Sequence, residues 1–301
     1  MTDSTESRVS EDQFLGALLG MAIGDALGVP LRGKSVSEIQ TEFGEVNGYL
    51  TPPDPKADSQ SPIGQISDKS EIALCIVESL TTNDGVVDFE NIAARMAFVA
   101  RSPSQATMSA ITLAGIERSV SDETDLGEQV EDPEELAVAS RGVPFGLVHA
   151  IGVFDLESLQ RETTEVTRLT HRGDIATRST LAVALHIAAA SRQPNNIDGW
   201  LARHRIDSTS LLVSAISRIG AVIGSSSTFE EGVLEIVREG GESDSLGSIA
   251  GAIAGARFGA SGIPQQLIDD LDARIYLTLA APWFYRTALR RQGTVIDLRT
   301  V

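Results

Sequence analysis

The chain has 301 residues, 42% hydrophobic and 22% charged, a composition that belongs to globular rather than disordered proteins. Lys and Arg number 24 against 42 Asp and Glu; the net charge of −18 argues against a nucleic-acid backbone or an anionic membrane surface as partner. The one cysteine, Cys75, excludes an internal disulfide and a thiolate zinc cage.

Residues 1–11 are polar and acidic and read as a disordered tail rather than a secretory signal. No run is expected to supply the ~20 apolar residues of a membrane span, so the expectation is a cytoplasmic protein. A single domain is expected over 12–291, and residues 292–301 read as a C-terminal tail. Only Lys34, Lys56 and Lys69 are lysines; every other basic residue is an arginine.

The first helix closes on Gly20-Met-Ala-Ile-Gly24-Asp25-Ala-Leu-Gly28-Val-Pro30. Glycines four residues apart permit close helix contact, and Gly28 before Pro30 is a helix stop. From composition alone Asp25 reads as the cap of a neighbouring helix. Val46–Leu50 is the best short extended stretch, and residues 51–64, with four prolines, form the best long loop. Ile72, Ile76 and Leu80 then step at helical spacing, as do Phe89, Ile92, Met96 and Val99. The acidic stretch 121–135 reads as a loop. Leu212, Ile216, Ile219 and Ile223 mark another helix; Phe229, Val233 and Ile236 mark one more, behind a capping box from Thr228 to Glu231. Leu267, Leu271, Ile275 and Leu279 extend one apolar stripe near the C-terminus. Alternating strand patterns are scarce, so the expected fold is all-α.

Four segments carry candidate chemistry. The first is the glycine segment around Asp25. The second is Ser67-Asp68-Lys69-Ser70-Glu71, whose oxygens suit a hard cation, although Asp68 and Glu71 also spell a capping box and Lys69 repels a cation. The third is Gly240-Gly241-Glu242-Ser243-Asp244-Ser245. Its glycine turn suits an anion through free backbone N–H groups, and its carboxylates suit a cation. The fourth is Thr170-His171, where the histidine reads as a ligand contact or as a packing residue.

In order and spacing, over about residues 12–290, these segments resemble the ADP-ribosylglycohydrolase family, the group that includes dinitrogenase reductase-activating glycohydrolase. The family's Gly-Asp-Ala-Leu-Gly stands intact at Gly24–Gly28. Its Thr-Asp-Asp-Thr metal motif is matched by Ser67, Asp68, Lys69 and Ser70, its Met-Arg-x-x-Pro by Ser140-Arg141-Gly142-Val143-Pro144, and its Thr-His by Thr170-His171. The late Gly-Asp-Thr-Asp-Thr is matched by Gly241 to Ser245, and the match runs on to Gly262-Ile263-Pro264.

The resemblance implies a compact, orthogonally packed multi-helix fold in which two Mg²⁺ ions lie between the early and late motifs. It implies hydrolysis of an ADP-ribosyl bond to a side chain, with ADP-ribose or an ADP-ribosylated protein as partner. Carried over residue by residue, Asp68 and Asp244 are the candidate catalytic groups. Ser67, Asp68, Glu242, Asp244 and Ser245 are the candidate metal ligands. Asp25, Arg141, His171, Gly240 and Gly241 are the candidate ligand contacts.

Three departures weigh against a full metal site. Arg32 stands where many members carry a glutamate, Lys69 replaces the second aspartate of the early motif, and Glu242 replaces the first aspartate of the late one. Two Mg²⁺ ions bring four positive charges, and two added cations remove carboxylates that would offset them. The expectation is one Mg²⁺ or none rather than two. The alternative is an inactive nucleotide-binding homologue in which Arg32 and Lys69 replace the metals.

Overall fold

In this computed structural model the described residues are 9–50, 63–121, 136–193, 196–204 and 210–293. Fourteen α-helices run through them: α1 (Glu11–Gly28), α2 (Val36–Phe43), α3 (Asp68–Thr82), α4 (Phe89–Val99), α5 (Ala110–Ser119), α6 (Gly142–His149), α7 (Leu156–Arg168), α8 (Asp174–Arg192), α9 (Ile197–Arg203), α10 (Leu211–Ser225), α11 (Phe229–Val237), α12 (Ser243–Phe258), α13 (Gln265–Asp269) and α14 (Arg274–Arg291). The fold is all-α, with no strand among the described residues; Val46–Leu50 is irregular. The expected loops at 51–62 and 122–135 lie outside the described residues, as do most of both expected tails. Val9 to Glu11 are part of the body: Val9 is buried, its carbonyl accepts from Tyr285 Oη at 3.0 Å, and Ser10 caps α1 in a reciprocal box with Gln13.

The central pair is α1 against α12, and glycine sets its spacing. A Cβ on Gly20 would stand 2.1 Å from the Gly251 carbonyl oxygen, and one on Gly24 would stand 1.9 Å from that of Gly247. Reciprocally, a Cβ on Gly255 would stand 1.8 Å from the Gly16 oxygen. Such distances leave no room for any side chain, so the two backbones touch along about three helical turns, from Gly16 to Gly28. Phe14 closes the other side of α1 against Phe284 and Tyr285 of α14, with ring centroids at 5.5 and 5.1 Å.

Three expectations need correction. Glu11–Leu31, 21 residues of mean hydropathy 1.7, is long and apolar enough to cross a membrane by length and composition; 83% of its apolar window is buried inside this fold, as in a core helix. The early capping box is not formed as expected, because Ser67 caps α3 by accepting from Lys69 N and Asp68 is the first helical residue. The C-terminal stripe does not belong to one helix. The chain turns between α13 and α14, so Leu267 and Leu271 are buried while Ile275 and Leu279 are exposed, and α14 buries Leu277, Ala281, Phe284 and Ala288 instead.

Candidate functional site

The glycine ladder decides where the carboxylates meet. It holds α12 against α1, and Ser243 Oγ donates to the Gly28 carbonyl at 2.7 Å to close the register. Asp25, one turn before the end of α1, is fully buried and accepts four hydrogen bonds from the first turn of α3. Ser67 gives its N–H at 3.0 Å and its Oγ at 2.7 Å; Ser70 gives its N–H at 3.3 Å and its Oγ at 2.6 Å. So α1 grips α3 through Asp25 and α12 through its glycines. The N-termini of α3 and α12 are thereby brought together, with Asp68 and Asp244 in their first turns, where the helix dipoles favour carboxylates.

Lys69 lies between them. Its side chain is 1% exposed, and Nζ stands 2.8 Å from Asp68 Oδ1 and 2.9 Å from Asp244 Oδ2. It also donates to the Thr107 carbonyl at 3.3 Å. A buried cation in the first turn of a helix opposes the dipole, so these acceptors are required. Burial pushes the ammonium's pKa down, but Asp68 and Asp244 outweigh it and hold Lys69 above its ordinary value. Arg32 completes the set from the outer side. It is half exposed, with Nη1 3.4 Å from Asp244 Oδ2 and 3.1 Å from the Thr107 carbonyl that it shares with Lys69. Asp244 Oδ2 is buried and has no well-aligned hydrogen bond; it is held by the charges of Lys69 and Arg32. The sequence left open which way these two cations turn, and both turn onto Asp244.

Burial raises the Asp25 carboxyl to about 6, opposed by the bonds from Ser70 and Ser67 and reinforced by the nearby charge of Asp244. Glu71 is likewise raised, first by burial and then by Asp68, against a hydrogen bond from Ser104.

The other candidates fall around this centre. Asp25 takes the helix-cap role that composition suggests, its oxygens accepting from Ser67 and Ser70. Gly240 and Gly241 have φ of +73° and +61°, but their N–H groups are used: Gly240 N donates to Val237 O at 3.2 Å and Gly241 N to Lys34 O at 2.9 Å. The two glycine amides of the expected anion nest are therefore already spent. The turn instead clips the 29–34 loop in place, with Gly33 N donating back to Gly241 O at 2.7 Å, and so fixes Arg32. Glu242 is exposed at the N-cap of α12, while Ser245 is buried and its N–H donates to Asp244 Oδ1 at 2.9 Å. Arg141 and His171 are buried and joined through Thr170: Arg141 Nη1 donates to Thr170 Oγ1, which stands 2.8 Å from His171 Nδ1. They back the site rather than open onto solvent. The adjacent Ser140 Oγ donates to the Lys69 carbonyl at 3.2 Å and links this group to α3.

Thr107 was not singled out in the sequence. It accepts from Asp68 N through Oγ1 at 3.1 Å and offers its carbonyl to both cations. It lies in a short 3₁₀ turn, Pro103–Thr107, and no spacing in the sequence ties residue 107 to residues 68 and 244.

The set fits a metal pair poorly. Mg²⁺ requires oxygen ligands at about 2.1 Å in octahedral array. Here an ammonium nitrogen occupies the place that bridges Asp68 and Asp244, and two cations already balance the two carboxylates. Among the described residues no three His, Cys, Asp or Glu side chains converge to hold an ion.

The all-α body and the acidic motifs at the N-termini of α3 and α12 agree with the family to which the motif order pointed. A family model described as ADP-ribosylglycohydrolase matches residues 6–293, and the chain belongs to that family. It is 28% identical over 313 residues to an uncharacterized protein of Archaeoglobus fulgidus, covering 93% of this chain and 98% of that one. It is 24% identical over 280 residues to the ADP-ribosyl-[dinitrogen reductase] glycohydrolase of Rhodospirillum rubrum, covering 88% and 92%. Among solved structures it is similar in fold to an ADP-ribosylglycohydrolase-related protein complex, with a TM-score of 0.70 at 22% identity over 92% of this chain and 98% of the other.

Proposed function

We propose that this chain is an ADP-ribosyl-binding member of its family whose site works without divalent metal. The observation that carries this reading is Lys69 Nζ within 2.9 Å of both Asp68 and Asp244. A fixed ammonium there supplies the charge that an ion would otherwise bring, and no displacement of it leaves both carboxylates satisfied. Arg32, half exposed and tethered by Asp244 and Thr107, is the group that meets the ligand. Its planar guanidinium suits a diphosphate. ADP-ribose, or a protein carrying it, is the proposed partner.

In this reading Asp68 and Asp244 are structural anions of the site rather than catalytic ones. Bond cleavage would require one of them to leave Lys69 and engage a water.

One observation favours the hydrolase reading with a single retained ion, namely that Asp244 Oδ2 lacks an aligned hydrogen-bond donor. Release of ADP-ribose from ADP-ribosyl-arginine and ADP-ribosyl-serine peptides, with Mg²⁺ and with EDTA, separates the two. The expected result is no turnover in either condition. Mg²⁺-stimulated release by the unaltered protein would overturn the proposal. The variant Lys69→Asp, which restores the family's residue, is expected to bind Mg²⁺ where the parent does not.

A further inference from the structure

α14 is apolar on two faces. One is buried in the body. The other presents Ile275, Leu279 and Trp283 at four-residue steps, with exposures of 66%, 67% and 56%. At 100° per residue these three fall within about 40° of Leu279 on the helix circumference. Arg286 falls within about 20° of the same line, and Asp272 lies in the turn two residues before Arg274, the first residue of α14. A helix that is apolar on a second, solvent-facing side is a surface that expects a partner.

We propose that this face pairs with the same face of a second copy of the chain, antiparallel, about a two-fold axis at Leu279. The pattern is symmetric about that residue. Asp272 precedes Leu279 by seven positions and Arg286 follows it by seven; Ile275 precedes it by four and Trp283 follows it by four. An antiparallel two-fold therefore sets Leu279 on Leu279, each Ile275 on the other copy's Trp283, and each Asp272 on the other copy's Arg286. An isologous interface must be self-complementary in this way.

The charges agree. Asp272 is exposed, and among the described residues it has no ion-pair partner within the chain; Arg286 has none either, its guanidinium lying 5.3 Å over the Trp283 ring. Of the four arginines of α14, Arg290 and Arg291 are paired within the chain with Asp84 and Glu162, and the helix carries no carboxylate. A cavity of about 560 Å³ is lined by Tyr276, next to Ile275 in the chain, together with Leu74, Phe98, Val99 and the polar Glu78, Arg95 and Asp272. It gives the incoming indole of the second copy a place to seat. With Phe98 and Tyr276 the exposed apolar patch is on the order of 500 Å², the bulk of the ~800 Å² per partner that a stable interface buries, and polar neighbours supply the rest. An unrelated partner would not require charges placed symmetrically about one leucine, which is why a second copy is the occupant chosen.

Sedimentation velocity over a micromolar concentration series reads the outcome, with Trp283 fluorescence as a second signal. The parent is expected to dimerise, with an emission blue-shift on association. Leu279→Glu is expected to be monomeric, with an unchanged circular dichroism spectrum because Leu279 touches solvent rather than core. Asp272→Arg and Arg286→Asp are each expected to weaken the dimer about tenfold, and the double variant, which exchanges the charges, to recover it. A parent that stays monomeric would overturn the proposal. So would a dimer that survives Leu279→Glu, or a double variant no tighter than either single one. None of these outcomes depends on what the site at Lys69 binds.

Discussion

Replacing Lys69 by methionine removes the ammonium and keeps nearly the same shape, so the packing loss is small. What remains is Asp68 and Asp244, at most 4% exposed, facing a gap with no cation between them. At about 3 Å and an effective dielectric near 20, each lost contact is worth roughly 5 kcal/mol before desolvation. Most of that is returned because the ammonium no longer has to be dehydrated. Breaking a buried pair on one side costs about 3–5 kcal/mol in practice. Here Arg32, 3.4 Å from Asp244, offsets a little of it. The expected loss is therefore about 3–5 kcal/mol at pH 8, a large share of the ~5–15 kcal/mol that holds a domain together.

In the parent protein Lys69 is held above its ordinary pKa, so its contribution is complete below about 10.5 and fades only as pH rises past the folded value. The parent should thus show no slope from this group between pH 7 and 9. Urea unfolding of parent and variant at pH 8 reads the loss, and the same melts of the parent at pH 7 and pH 9 read the slope. A variant as stable as the parent at pH 8 would refute the charge balance on which the reading of this site depends.

Three further outcomes follow from the geometry. The Asp25 carboxyl, raised to about 6, contributes stability that is complete below the unfolded value near 3.8 and is lost as pH rises through 6. The stability difference between parent and Asp25→Asn should therefore change by about 2.4 kcal/mol between pH 4 and pH 7, and a flat difference in urea midpoints would contradict the assigned burial. Gly24→Ala drives a Cβ to 1.9 Å from the Gly247 oxygen and is expected to cost 3 kcal/mol or more. Gly48→Ala, with nothing within 4 Å, should stay within about 0.5 kcal/mol in the same melts. Arg32→Ala should weaken ADP-ribose binding about tenfold in calorimetry while leaving the melting temperature nearly unchanged, since its side chain is half exposed.

Most helices were legible because each buries one face, and Ile72, Ile76 and Leu80, or Ile216, Ile219 and Ile223, repeat at the helical period. The glycines of α1 announced a close helix contact but not its partner, α12. The C-terminal stripe misled because periodicity runs on through the turn between α13 and α14, and because an apolar residue reads alike whether it faces the core or a partner. The family's motifs pointed to Asp68, Lys69 and Asp244, and the substitution of lysine for aspartate already signalled a cation among carboxylates. What the sequence withheld was which donors were already spent. The amides of Gly240 and Gly241, the oxygens of Asp25 and the Arg141–Thr170–His171 chain are all engaged within the protein, and only tertiary contacts determine that. Thr107 was missed for the same reason, since its carbonyl gains meaning only once Lys69 and Arg32 converge on it.

The central claim is that fixed cations stand where the family motif would place metal. Calorimetric titration of ADP-ribose into the protein, once in Mg²⁺ and once in EDTA, tests it most directly. Binding of equal affinity in both conditions is the expected result. Binding that appears only with Mg²⁺ would contradict the account, and so would its absence in both.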